Sequence, residues 1–415
     1  MNIRVTFPFV VLAAGLAPAQ LLTPAWVELG DNGQVLARVI VASDGAPQTC
    51  PSITVDGVDH SMSLRQPVPA GFQPLCEYAL PSAAKAASVN AQALHLPIPD
   101  PASGVVIGDT GCRIKGERVQ DCNDMTKWPE QAVADSAASV KPDLIVHVGD
   151  YLYRESVCPV EAQRRCGGTS NGDNWNTWNA DFFAPAAKLL AAAPWAFSRG
   201  NHEDCERAWR GWFYYLDPRP WSNTCWVYTS PYVITLGARQ LVMLDSSAVD
   251  EDTAEPKQVA EFVAELQSVH VEHAWLADHH PFWGVKPAEK GKGVKALAAP
   301  LEAAWEQAKP TGIDMIFSGH VHMFAVIPFD SGRPTQIVAG DGGTELSAPV
   351  PASIDGTVIQ GNAVHGSQTR VEFGYTWLRK TDTGWNLTLR STEASAIVQC
   401  AISNGHAACG DPDGK

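Results

Sequence analysis

Five short stretches constrain this chain more than any other feature: Gly108-Asp109-Thr110-Gly111, Gly149-Asp150-Tyr151-Leu152-Tyr153, Gly200-Asn201-His202-Glu203, His279-His280-Pro281 and Gly319-His320-Val321-His322. Each reads as a loop at the end of a short apolar run: Val105 to Ile107, Leu144 to Val148, Trp195 to Ser198, His273 to Ala277 and Ile313 to Phe317. Runs of this length read as buried strands. Between and after them, Pro129 to Val140, Trp178 to Ala193, Glu255 to Val269 and Val294 to Ala308 carry helical periodicity. The pattern predicts an α/β (α+β) domain over 104–399. In such sheets ligands bind beyond the carboxyl ends of the strands, where these stretches fall.

Together the stretches offer carboxylates, a phenol, an amide and several imidazoles, donors that suit a pair of metal ions. Asp109 and Asp150 follow Gly at strand ends, and a carboxylate such as Asp150 can bridge two cations. Tyr153 is the phenolate candidate, with Tyr151 as its rival. A phenol ionises near neutral pH only beside strong positive charge. Asn201 offers a neutral oxygen. His202, its neighbour, is read as a catalytic proton donor or substrate contact, oriented by Glu203 or Asp204. His279 and His280 point to opposite faces of an extended segment, so one ligates and the other touches substrate. His320 and His322, two residues apart, share a face. Arg113 and Arg199 stand near these stretches and either contact phosphate or form ion pairs. Two metal ions can hold a hydroxide and clamp an in-line displacement at phosphorus, so the donors point to hydrolysis of a phosphate ester.

The flanks read differently. Arg4, the apolar run Val5 to Leu16 and Ala17-Pro18-Ala19 resemble an export signal over 1–19. Residues 24–96 alternate as strands, with Asp56-Gly57 as a hairpin turn, and are expected to form a small N-terminal β-sandwich domain packed against the main one. Residues 97–103, rich in Pro, read as a linker. Ten cysteines in a chain with an export signal predict five disulfides. Sequential pairing is the simplest scheme, with the last bridge in a tail over 400–415. With a net charge of −15 and no basic block, nucleic-acid binding through a basic patch is not expected. No run is long enough to anchor the chain in a membrane. The compartment is therefore expected to be periplasmic or extracellular. Nothing in the sequence sets an oligomeric state.

The five stretches resemble the calcineurin-like metallophosphoesterases, and within them the purple acid phosphatases, whose pattern is GDxG, GDxxY, GNH(D/E), VxxH and GHxH. Asp109, Asp150 with Tyr153, Asn201 with His202, and His320 with His322 match four elements. The fourth element has Leu276 in place of Val, and His279 matches its His, with Pro281 two residues on. The resemblance implies a two-sheet β-sandwich flanked by helices. It implies Fe(III) held by Asp109, Asp150, Tyr153 and His322, and a divalent ion (Zn, Fe or Mn) held by Asp150, Asn201, His279 and His320. His202 would serve the substrate, a small-molecule phosphate monoester, in acid-phosphatase-type hydrolysis; His280 is a substrate-binding candidate only from its place beside His279. A phosphodiesterase or nucleotidase on the same scaffold is the alternative. A non-catalytic metal- or phosphate-binding protein is a further one.

Overall fold

The computed structural model describes residues 20–43, 49–168, 170–251, 253–288, 294–297 and 299–410. The expected export signal over 1–19 lies outside them. Two sheets face each other. The larger has eleven strands, with Ser103–Ile107, Ile145–His147 and Trp195–Phe197 parallel at its centre. The smaller has seven, with Arg239–Met243, Ala274–Ala277, Ile313–Ser318 and Thr335–Ala339 parallel.

Alternation along each strand explains the layering, because successive side chains point to opposite faces. Val106, Val146 and Ala196 face inward and meet Met243, Trp275, Ala277 and Phe317 between the sheets. Val105, Ile107, Ile145 and Phe197 face outward, under a cover that includes Val133 and Ala137 of the helix Glu130–Ser139. Val242, Leu276 and Ile316 face outward from the smaller sheet, under Phe262 of the helix Pro256–Ser268 and Leu301 of the helix Ala299–Ala308. The result is the two-sheet sandwich flanked by helices that the family resemblance implied.

Two predicted helices differ. The segment 175–190 is a short α turn, a π turn and a second α turn rather than one helix. The expected helix from Val294 is a strand over Val294–Ala296, paired with Val285–Pro287, before helix begins at Ala299. Val294 is β-branched and its neighbours Lys295 and Ala296 are exposed, so no apolar stripe extends the helix backward.

The flanks are less separate than their sequences suggest. Trp26–Leu29 pairs in parallel with Trp195–Phe197 and carries Val35–Ile40 and Leu75–Ala79 into the larger sheet. The four short strands over 52–93 pack on this extension through Ile53, Val55 and Val89 against Val27, Ala37 and Val39. The N-terminal sandwich therefore shares a sheet with the rest, beyond packing against it. Arg38 fixes the join from full burial, donating to Glu28 Oε2 at 2.7 Å and to the carbonyls of Tyr215 and Asp217 at 3.2 and 3.0 Å. At the other end, Ala396–Ser403 and His406–Gly410 are the last two strands of the same sheet, with Cys400 opposite Cys409. A boundary at residue 400 would cut a strand. The five disulfides are Cys50–Cys76, Cys112–Cys122, Cys158–Cys166, Cys205–Cys225 and Cys400–Cys409, the sequential scheme. Among the described residues no helix is long and apolar enough to cross a membrane.

One buried group gives the fold a pH dependence. Glu265, on the helix Pro256–Ser268, leaves Oε2 without a hydrogen-bond partner. Burial, then Asp245 and Glu261, push its carboxyl from 4.5 up to about 8 against the pull of Arg219. The stability this neutral group contributes is complete below the unfolded-state value and is lost as pH rises through about 8. Glu265→Gln stays neutral throughout. It is expected to be more stable than the wild type by about 2–4 kcal/mol at pH 9 and nearly equal to it at pH 4. Denaturant titrations at the two pH values check this.

Candidate metal centre

The carboxyl ends of both sets of parallel strands open on one edge of the sandwich, and the five stretches meet there. The larger sheet supplies Asp109, Asp150, Tyr153, Asn201 and His202; the smaller supplies His279, His320 and His322. Backbone bonds lock loop to loop: Asp109 N–H to Gly149 O at 3.0 Å, Thr110 N–H to Asp150 O at 3.0 Å, and Gly319 N–H to His279 O at 3.0 Å. Asp109, Asp150 and His320 all have positive φ, at 56°, 62° and 69°. Non-glycine residues held in this region often mark functional sites. Glycine is required where the loops touch. A Cβ on Gly200 would stand 2.1 Å from both N and Oδ1 of Asp150, and one on Gly149 would stand 2.6 Å from His279 Nδ1.

The donor atoms fall into two clusters that share Asp150. In the first, Tyr153 Oη lies 2.6 Å from Asp150 Oδ2, 2.9 Å from Asp109 Oδ1 and 3.0 Å from His322 Nε2. His322 Nδ1 faces the Glu345 carbonyl at 2.7 Å. That carbonyl can only accept, so Nδ1 carries a proton and Nε2 is the nitrogen turned inward. Two carboxylate oxygens and this nitrogen thus surround a phenol with one proton to give. Burial and then Asp109 and Asp150 push the phenol's pKa well up. A cation among these atoms would reverse that balance.

In the second cluster Asn201 Oδ1 lies 3.0 Å from His279 Nε2 and 3.1 Å from His320 Nδ1. Outer partners set these rings too. His279 Nδ1 donates to Val148 O at 2.8 Å, and His320 Nε2 to Glu251 Oε1 at 2.5 Å. Asp150 Oδ2 is 3.3 Å from His279 Nε2. Burial lowers the pKa of His279, but Asp150 reverses this and raises it to about 10, so a proton competes with any metal ion for Nε2. Imidazoles fixed by an outer acceptor, with the other nitrogen turned to a shared focus, are the usual arrangement of metal-ligating histidines. The residues fit two cations, one per cluster.

The remaining sequence candidates separate. His202 packs its ring 3.8 Å from that of Tyr153 and lines the cleft. Its Nδ1 is 2.9 Å from Glu155 Oε1, so Glu155 orients it, not Glu203 or Asp204. Glu203 instead collects backbone N–H groups of both the Asp150 and Asn201 loops. Tyr151 is core, stacked on His147 and bonded to Ser198 O. His280 was expected at the substrate. It lies under His320 instead, ring centroids 4.1 Å apart, with Nδ1 on Ser246 O at 2.7 Å; it is buried and does not line the cleft. Arg199 is buried against Asp245 and the carbonyls of Glu203 and Trp226. Arg113 reaches the cleft, a hollow of ≈ 480 Å³.

Comparison with known proteins bears on this geometry. Residues 105–324, more than half the chain, match the family model for the calcineurin-like phosphoesterase domain. The chain belongs to that family. It is a metal-dependent phosphoesterase, and the matched span holds all five stretches. A purple acid phosphatase from yellow lupin (Lupinus luteus) seeds has a similar fold, with a TM-score of 0.55 at 13% identity over 91% of this chain and 73% of that one. The structure of PhoD aligns with a TM-score of 0.53 at 10% identity over 96% and 93%. No curated protein matches in sequence.

Three residues of this phosphoesterase site left no usable signal in the sequence: Glu155, Glu251 and Glu345, whose oxygens fix the rings of His202, His320 and His322. Glu155 stands two residues after Tyr153, where a reader looking for ligands would stop. The other two sit in loops tied to the site only by the fold, and Glu345 acts through its backbone.

Proposed function

We propose that this phosphoesterase is an exported hydrolase of phosphate monoesters of the acid-phosphatase type. Asp109, Asp150, Tyr153 and His322 would hold a ferric ion, and Asp150, Asn201, His279 and His320 a divalent ion. The observation that carries the reading is the Tyr153 hydroxyl among Asp150, Asp109 and His322 at 2.6–3.0 Å: a buried, hard, anionic donor set suited to a trivalent ion. Five disulfides support export.

The bound ions would supply Lewis acidity toward the phosphoryl oxygens and lower the pKa of water. The chain's own groups do the rest. Asp150 joins the two clusters. Glu155 holds His202 at the cleft wall, where its Nε2 can give a proton to the leaving oxygen. Asp181 accepts from the backbone N–H of Tyr153 and Arg154 at 2.9 and 3.2 Å, fixing the loop that carries the phenol.

The test is hydrolysis of nitrophenyl phosphate and bis-nitrophenyl phosphate by oxidised protein matured with iron and zinc or manganese. The monoester is expected to have the higher kcat/KM, in a protein that shows charge-transfer colour. A higher value for the diester would move the activity to a phosphodiesterase or nucleotidase on the same centre. Turnover of neither, with both metals bound, would leave a binding protein.

A further inference from the structure

Among the described residues, five cationic side chains line the cleft: Arg113, Lys115, Arg118, Arg207 and Lys286. Four meet carboxylates, with Lys115 and Arg207 sharing Glu155. Lys115 pairs with Glu155 at 3.0 Å, Arg118 with Glu345 at 2.8 Å, Arg207 with Glu155 at 3.4 Å and Lys286 with Glu251 at 2.6 Å. Arg113 has no carboxylate partner among the described residues. Its Cζ sits 4.9 Å over the Tyr153 ring, its Nη2 is 3.4 Å from His322 Nε2, and its Nε is buried without a hydrogen bond. A half-buried guanidinium with unspent donors, at the mouth of a site for anions, lacks an anion.

Its main chain is held still. Arg113 N–H donates to Gln120 Oε1 at 3.1 Å, and Gln120 N–H returns a bond to Arg113 O at 2.8 Å. The hairpin Ile114–Lys115 with Arg118–Val119 follows, closed by Cys112–Cys122. Asp109 lies four residues earlier on the same loop. A planar fork carried on a main chain fixed in this way, and laid over the Tyr153 ring, can take two oxygens of one phosphoryl group.

We infer that Arg113 binds the phosphoryl group of the substrate and sets the preference for monoesters over diesters. The inference rests on the reading of the site as a phosphatase. A monoester above its second pKa of about 6 offers a dianion with three unsubstituted oxygens; a diester offers one charge and two oxygens. An uncompensated guanidinium in a partly buried cleft favours the first.

The experiment compares wild type with Arg113→Gln and Arg113→Lys, each metal-loaded, at pH 7.5. Orthophosphate affinity is measured by calorimetry, kcat/KM with both nitrophenyl esters, and metal content on the same samples. For Arg113→Gln the monoester kcat/KM is expected to fall about 100-fold and the diester about tenfold, as for loss of a charged hydrogen-bond partner. Orthophosphate binding should weaken at least about tenfold, with both metals retained. Arg113→Lys should restore part of the affinity, since the charge returns without the fork. Equal loss for both esters with unchanged phosphate affinity would overturn the inference. Loss of metal in the Gln variant would do so too, making Arg113 a prop for His322 and Tyr153. If the wild type binds phosphate and turns over neither ester, the phosphatase reading fails alone, and the affinity comparison still decides Arg113.

Discussion

Asp150→Asn is expected to empty both cation sites and to lower kcat/KM by about 10³-fold or more, the scale on which one preorganised electrostatic group acts. The reason is that Asp150 Oδ2 touches a member of each cluster: Tyr153 Oη at 2.6 Å and His279 Nε2 at 3.3 Å. Burial alone would raise the pKa of this carboxyl, but His279 and His202 hold it well below the ordinary value. It is therefore an anion at the only point common to both donor sets. The amide keeps the shape and one acceptor. That acceptor still takes the His202 N–H, now 2.9 Å from Oδ1, so the Asn201 loop keeps its anchor. What is lost is the charge, and an NH₂ then faces the focus. Metal analysis beside kinetics separates the outcomes. If the variant binds both metals and works near the wild-type rate, Asp150 does not bridge. If it loses one metal only, Asp150 belongs to that metal's cluster alone.

What the sequence made legible, and what it left dark, follows from where each constraint is written. Asp109, Asp150, Asn201, His279, His320 and His322 could be singled out as candidates because each sits within four residues of the end of a strand that must be apolar, so chemistry and burial mark the same place twice. The layering was legible for a related reason, since a run such as Val105-Val106-Ile107 needs cover on both faces. The N-terminal join was not. Pairing of Trp26–Leu29 with Trp195–Phe197 is a backbone contact between segments about 170 residues apart, and its strongest side-chain mark, Arg38 on Glu28, looks like any two charges in an alternating strand. The carboxylates that contact the site histidines were dark because adjacency misleads. Glu203 and Asp204 are neighbours of His202 in the chain, yet the turn Asn201–Glu203 carries the Glu203 carboxylate away from the ring and toward the backbone of another loop.

That carboxylate makes the largest stability prediction. Glu203 is fully buried, and its two oxygens accept four backbone N–H groups: Tyr151 and Leu152 on Oε1 at 2.9 and 3.1 Å, Asp150 and Gly200 on Oε2 at 3.1 and 3.2 Å. Three belong to the loop that carries Asp150 and Tyr153, and the fourth opens the loop that carries Asn201. One side chain thus sets the distance between a candidate bridging ligand and a candidate amide ligand. Glu203→Ala strands all four donors away from water, and each buried unpaired group costs about 1–3 kcal/mol. Some relief comes from water entering the space, so about 4 kcal/mol of lost stability is expected. The metal centre should fail with the loops, because Asp150 and Asn201 can then drift by the fraction of an ångström that coordination does not tolerate. Glu203→Gln divides the two effects. Its amide keeps one oxygen as acceptor and points NH₂ at two N–H groups, so it should fold with about half the penalty and bind metal more weakly than wild type. Denaturant unfolding and metal titration of the two variants check the ordering. An Ala variant as stable as wild type would show that these four donors find other partners, and that the loops are held by their glycines and the sheet edge alone.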